Sequence, residues 1–531
     1  MTMSSVINSH RPMSPHTAAL LGLDRFIDEV REAWGYVGVA VAIVRGDELL
    51  YAQGFGAREI GKPARVDAHT LFQVGSTTKA FTAAALGILV DEGKVRWDDR
   101  IIDHLPGFLL QDPWLTRQLT IRDALAHRSG IPVSFYPFLS IMGSEEAVRQ
   151  LKHCAPQGPF RDSFVYNNLM YEVAGQIVKA ASGMTWGELV KRRLFDRLQM
   201  KRSATSSYEL WDDEHIARCI FGAAPAGCPD VSLARDANVA MPHLFNAEGS
   251  IVPLAWQSYD VASAAGTIVS SATEMAQWLI LNLNEGRYQG ERVLRPETVR
   301  ELHRTQNLHA GEGEFLFPLD ESTEGYAMGW WRAKYRGRTH LAHSGGIIGF
   351  PAYMALMPEE QLGLVVLANG PKVAYSSYVL EYMFHKALAF SIFDRLLQAP
   401  PRDWSHELLR RMRRTQELAV EEEKTREQAR RHGTAPSLAL EQYVGAYEDT
   451  RGKSGPVSVG LREGQLTLSF VGQGAYAAVL QHWHQDVFRL RSAAHVPDVL
   501  GALFASFTLG SNGSVSAMSI EGAFGGTFNR I

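Results

Sequence analysis

Residues 404–432, WSHELLRRMRRTQELAVEEEKTREQARRH, carry both charge signs densely and contain neither glycine nor proline. Opposite charges four apart predict a solvated helix, and the mixed signs argue against a DNA-binding arm. This segment divides the chain into two parts of unlike texture. After Pro436 the sequence breaks into the short runs PVSVGL, QLTLSF, AYAAVL, VFRLRS, LFASFTL and VSAMSI, separated by Gly, Asp, Asn and Ser. Strands that short and that regularly spaced predict a small antiparallel barrel or sandwich. At 531 residues the chain is too long for one core. The expected organisation is a polar tail at 1–17, a large domain at 18–396, a charged helical linker at 397–437 and an antiparallel β-barrel at 438–531.

Within the large domain, Leu23, Phe26, Ile27 and Val30 follow the i, i+3, i+4, i+7 spacing of an amphipathic helix. The run VGVAVAIVR (37–45) then switches to β character, and Gly46-Asp47 turns the chain into a second strand over 48–59. From about 70 to 205 the pattern is mainly helical, with capping-box spacings at Thr120/Asp123 and Thr185/Glu188 and again at Ser271/Glu274. β-type runs return at YAMGWWRA (326–333), THLAH (339–343), AYMALM (352–357) and LGLVVLAN (362–369). The expected fold is α/β (α+β): an antiparallel sheet begun at the N-terminus and completed here, flanked by helices and joined by a helical lobe.

Fifty-three Lys and Arg against 57 Asp and Glu leave a net charge of −4, so no broad basic field exists for phosphate contacts and nucleic acid is not an expected partner. No run approaches the roughly 18 apolar residues of a membrane span, and the N-terminal residues lack a basic stretch followed by an apolar one. The chain therefore reads as cytoplasmic, or as periplasmic where a signal has been removed, with no membrane partner. Cys154, Cys219 and Cys228 show no CxxC spacing and read as reduced.

Three short segments carry chemistry. In LFQVGSTTKAFTAAALGILVDEGKV (71–95), Ser76 and Lys79 lie three apart at the head of an apolar helix, close enough to touch. A serine hydroxyl becomes a nucleophile when a neighbouring base takes its proton, and a partly buried lysine can be that base. In RDSFVYNNLMYEVAGQIV (161–178), the phenol of Tyr166 could shuttle a proton and the amide of Asn168 could hold a substrate carbonyl and orient Lys79. In LAHSGGIIGF (341–350), His343-Ser344-Gly345-Gly346 ends a predicted strand whose glycines permit close backbone approach and a main-chain N–H to substrate.

These three segments, in this order, resemble those of the serine β-lactamase and penicillin-binding superfamily, specifically its class C β-lactamase-like hydrolases. GFGARE, TIRDALAHRSGIP, YNNLMYEVAG, AAGTIVSSATEMAQWL and HSGGIIGF also look like family segments, extending the resemblance over about 20–390. The β-rich C-terminal region, from about 438, is similar to the lipocalin-like domain that follows the catalytic domain in some peptidases of this group. The resemblance implies Ser76 as acylated nucleophile and Lys79 as its base partner, with Tyr166 relaying protons and Asn168 positioning substrate. It further implies that His343 lines the site and that Gly345 and Gly346 bring a backbone N–H into an oxyanion hole with that of Ser76. Residue types leave open whether Lys79 or Tyr166 is the acylation base.

The third segment begins with His343 where class C β-lactamases carry a lysine, which favours the esterase, D-aminopeptidase and amidase branches over penicillin hydrolysis. The extra β domain favours peptides, as in the linear-microcystin-hydrolysing relatives. The implied activity is a cofactor-free and metal-free serine peptidase or amidase on small peptide or amide substrates. The alternatives are an ester-cleaving carboxylesterase, a weak β-lactamase or D-Ala-D-Ala carboxypeptidase, and a non-catalytic binding protein. Exact substrate, stereochemistry and oligomeric state are not specified. His127 reads as structural, and His482 and His484 as a structural pair rather than metal ligands.

Overall fold

Runs that read as continuously apolar become central strands covered on both faces. The computed structural model describes residues 19–132, 143–210, 237–245, 250–254, 256, 259–311, 321–372, 378–449, 457–470, 478–492, 503–521 and 526–531. The large domain is built on β1 (Gly38–Arg45), β2 (Glu48–Gly56), β3 (Glu321–Tyr326), β4 (Trp331–Tyr335), β5 (Arg338–Ile347), β6 (Phe350–Met357) and β7 (Leu362–Asn369). They form one antiparallel sheet in the order β2-β1-β7-β6-β5-β4-β3, so the N-terminal hairpin joins the later strands as expected. β1 shows why its sequence lacks polar alternation: Val39, Val41 and Ile43 enter one core, and Ala40, Ala42 and Val44 enter the other.

The helices that position the site are α1 (Leu23–Ala33), α2 (Thr78–Asp91), α3 (Asn168–Ser182), α4 (Ala272–Leu283), α5 (Tyr378–Leu396) and α6 (Trp404–Gln428). Leu23, Ile27 and Val30 of α1 pack with α5 and the start of α6 on one face of the sheet. Each such side chain contributes about 1.5–3 kcal/mol, offset by the entropy of ordering it. α2, α3 and α4 share the core on the opposite face. Thr120 and Thr185 form the expected capping boxes with Asp123 and Glu188, and Ser271 accepts from the Glu274 N–H.

Two expectations needed correction. YAMGWWRA is not one strand: Tyr326 ends β3, Gly329 turns at φ +81°, and β4 begins at Trp331. A Cβ on Gly329 would lie 2.8 Å from Ala80 Cα, so this turn is pressed against the head of α2. The charged helix is not solvated throughout, because Trp404, Leu408 and Met412 bury its first turns against α5.

Asp394 of α5 is nearly buried and accepts from Tyr335 Oη (2.7 Å), from Arg336 Nε (2.6 Å) and Nη2 (2.7 Å), and from Trp404 Nε1 (2.9 Å). Asp394→Ala is expected to cost about 3–5 kcal/mol, because the guanidinium and two buried donors lose their acceptor together. Urea unfolding measures this, and a loss below about 1 kcal/mol would contradict it.

Beyond α6 lie β8 (Gly445–Asp449), β9 (Val457–Arg462), β10 (Gln465–Phe470), β11 (Ala478–His484), β12 (Val487–Ser492), β13 (Phe504–Leu509), β14 (Val515–Ile520) and β15 (Gly526–Arg530). They form a closed barrel in chain order, filled by side chains including Val457, Leu468, Phe488, Phe507 and Phe528. The six β runs read from the sequence omit β8 and β15, which pair with β9 and β14 respectively and with each other, Tyr447↔Arg530 to Asp449↔Phe528. α6 docks on the barrel through Arg426 over the Phe504 ring (5.2 Å) and a Glu423–Arg489 ion pair (2.6 Å). His482 and His484 straddle a bulge, and His482 Nε2 donates to Gln485 O at 3.0 Å.

Among the described residues no helix is long and apolar enough to cross a membrane. Burial pushes the Cys154 thiol up to about 12, which makes it inert. Cys219 and Cys228 lie outside the described residues.

Candidate active site

Ser76 sits in a 3₁₀ turn, Gly75–Thr77, that feeds directly into α2. It is partly exposed, whereas Lys79, one turn on, is fully buried. The Lys79 Nζ donates to the Ala265 carbonyl at 2.9 Å and to Asn168 Oδ1, and it lies 3.0 Å from Ser76 Oγ. Each partner is held by its own local structure. Asn168 opens α3, capped by Asn167, whose Oδ1 accepts from the Met170 N–H at 3.1 Å. Ala265 belongs to the helical turn Ser263–Gly266, where the Ala264 N–H donates to Glu172 Oε2 at 3.3 Å. Burial raises that Glu172 carboxyl to about 7.

The Tyr166 ring lies over the lysine, with its centroid 4.8 Å from Nζ. Behind it His127 packs at 4.3 Å between ring centroids and accepts the Asn167 N–H on Nδ1 at 3.0 Å. His127, just after the short helix Ile121–Leu125, thus ties that part of the helical lobe to the Tyr166–Asn168 segment.

β4 accompanies β5 only as far as the Trp331↔Ala342 pair, so 343–347 has no β4 partner on that side. A Cβ on Gly345 would lie 1.9 Å from the Val74 carbonyl oxygen, and one on Gly75 would lie 2.8 Å from Gly346 N. Only glycines let this strand ride on the turn that carries Ser76, and they bring the Gly346 N–H beside it. His343, on the same strand face as Gly345, is buried, with Nδ1 2.6 Å from Ser344 O and Nε2 2.9 Å from Tyr326 Oη.

The electrostatics follow from burial. Desolvation holds Lys79 well below the ordinary lysine range. His343 is pushed down to about 3, first by burial and then by Lys79. His127 is held well below its usual value by burial, Lys79 and His343. Tyr326 is raised by burial beside Tyr171 and Tyr166. Among the described residues no three His, Cys, Asp or Glu side chains converge as metal ligands would.

All seven residues singled out in the sequence gather here. Ser76, Lys79 and Asn168 are linked by hydrogen bonds, Tyr166 covers the lysine, and His343, Gly345 and Gly346 form the adjoining strand. The polar atoms of the His343 ring are both engaged within the protein. Sequence reasoning missed Tyr326, which was hidden inside a run read as one strand. It placed His127 outside the site, although that ring packs directly behind Tyr166.

Comparison with known proteins adds an independent observation. The Beta-lactamase family profile matches residues 23–384, and a Domain of unknown function (DUF3471) matches 429–529. An unguisins hydrolase of Aspergillus violaceofuscus is 28% identical over 397 residues, 72% of this chain and 65% of that protein. The chain thus spans about two thirds of the length of the curated relatives it matches. An octameric penicillin-binding protein homologue from Pyrococcus abyssi shares the fold over 96% of this chain and 100% of its own, at TM-score 0.56 and 19% identity. A D-amino acid amidase from Ochrobactrum anthropi superposes on 72% of this chain and 99% of its own, at TM-score 0.53 and 21% identity.

Proposed function

The chain belongs to the Beta-lactamase family, and from that premise we propose that it is a serine hydrolase that cleaves amide bonds in small peptides through an acyl-enzyme on Ser76. The contact set of Lys79 carries this reading. Asn168 Oδ1 and Ala265 O can only accept, so they occupy both N–H groups of a neutral amine, and its lone pair is left for the Ser76 hydroxyl. Burial disfavours the charged form of this amine.

In this reading Ser76 Oγ attacks the substrate carbonyl while Lys79 takes its proton. The backbone N–H groups of Ser76 and Gly346 stabilise the developing oxyanion, and Asn168 orients both lysine and substrate. The proton passes to the leaving amine by way of Tyr166, and water then hydrolyses the ester on Ser76. Residues 18–396 form the catalytic domain, and 397–437 tie it to the barrel at 438–531. The name of the unguisins hydrolase agrees with a hydrolase, and that of the D-amino acid amidase agrees with amide substrates. A cytoplasmic site of action remains part of the proposal.

Covalent labelling tests the reading. A fluorophosphonate is expected to add once to the intact chain, on the peptide containing Ser76, and peptide or amide products are expected from a mixed pool of D- and L-residue substrates. Cleavage of esters alone would move the assignment to a carboxylesterase. No adduct and no product would favour a binding protein.

A further inference from the structure

The third segment bears on which substrates the site accepts, an inference that rests on the hydrolase reading above. The open stretch 343–347 of β5 lies against the turn carrying Ser76, where an extended substrate would run. Between Thr339 and Met357 there is no Lys, Arg, Asp or Glu, so the charge of this wall is decided by histidine. His343 is the histidine beside the site, and its proton arrangement can be read from its partners. The Ser344 carbonyl can only accept, so Nδ1 carries the proton. Nε2 of the neutral ring keeps its lone pair, and the Tyr326 hydroxyl, 2.9 Å away, is its donor.

Tyr326 is itself immobilised. It is fully buried, and its ring meets those of Trp331 (5.1 Å), His127 (4.9 Å) and Phe164 (5.6 Å). The rigid phenol therefore holds the imidazole in one tautomer and one orientation. A carboxylate brought onto this wall would lose water and meet no cation from the strand, whereas a carboxamide or a continuing peptide would bring no charge.

We propose that Tyr326 is a specificity-determining positioning residue: by donating to His343 Nε2 it keeps that nitrogen of the neutral ring from presenting a proton to the wall beside Ser76, so the site selects substrates whose leaving side is a carboxamide or a continuing peptide over those ending there in a free carboxylate.

Two peptides test this, identical up to the bond cleaved and differing only in whether the leaving residue ends as carboxamide or carboxylate. The wild-type chain is expected to favour the carboxamide at least tenfold in kcat/KM. Tyr326→Phe removes the donor, and the ratio is expected to fall toward unity. Histidine-selective ¹⁵N spectra of the full chain provide a readout that needs no substrate. The His343 signals, assigned by their loss in His343→Gln, are expected to show one protonated nitrogen, Nδ1, and to change in Tyr326→Phe. Equal rates on the two peptides, a preference for the carboxylate, or both nitrogens protonated would overturn the proposal. A ratio unchanged in a folded Tyr326→Phe would overturn the role of Tyr326. If that variant fails to fold, the wild-type ratio and spectrum still decide. Cleavage of neither peptide would instead count against the hydrolase reading, with the spectra still reporting on the tyrosine–histidine lock.

Discussion

Ser76→Ala is expected to lower kcat by about 10⁴-fold or more on any substrate the chain turns over, because no acyl-enzyme can form without the hydroxyl. The fold should survive. Ser76 is partly exposed, and its Oγ is only one of three polar partners of Lys79 Nζ. Asn168 Oδ1 and the Ala265 carbonyl remain to hold the amine in place. The melting temperature of the variant is therefore expected within a few degrees of wild type, since a single partly exposed hydroxyl contributes about 1 kcal/mol. Steady-state kinetics and a thermal melt on the same preparation check both halves. Turnover within tenfold of wild type would remove Ser76 from the mechanism, and a collapse of the melting temperature would make the lost activity uninformative.

Lys79→Met is expected to reduce kcat/KM by about 10²–10⁴-fold, the usual range for loss of a general base. Its stability signature distinguishes a buried neutral amine from an ordinary lysine. Burial lowers the folded-state pKa of Lys79, whereas the unfolded chain keeps its proton up to about 10.4. Between those two values the unfolded state binds more protons, so this group makes wild-type stability rise with pH, by up to about 1.4 kcal/mol per unit. Methionine removes that slope. Relative to wild type the variant should be most stable near neutral pH and lose that advantage as pH approaches 10. At every pH it also bears the loss of a donor to Asn168 Oδ1 and Ala265 O. Urea unfolding of both proteins at pH 7 and pH 9 measures the difference. Identical pH slopes would mean that Lys79 titrates normally in the folded chain, and retention of more than a tenth of the activity would pass the base role to another group.

Much of this protein is written locally. Capping at Thr120, Thr185 and Ser271, the turn at Gly46-Asp47 and the apolar stripe of α1 depend on residues three or four apart, and the sequence shows them directly. The seven candidate residues were legible as a group for a related reason: Ser76 and Lys79 are three residues apart, and the other two segments are short and have distinctive residue types. Long-range pairing was not legible. The pairing of β8 with β15, which closes the barrel, joins segments far apart in the chain. The break within YAMGWWRA follows from the close packing of Gly329 on Ala80, a contact between residues far apart in the chain. The buried start of α6 depends on Asp394 and α5, which the charge pattern of 404–432 does not reveal.

The sequence by itself determined which side chains could do chemistry and that Ser76 and Lys79 stand together at the head of a helix, because those follow from composition and spacing. Only the tertiary structure decided their states. Lys79 is stripped of water by a core assembled from distant segments, and one ring nitrogen of His343 is engaged by a tyrosine on another strand. Desolvation and hydrogen-bond direction belong to the surroundings of a residue, and those surroundings exist only once the chain has folded.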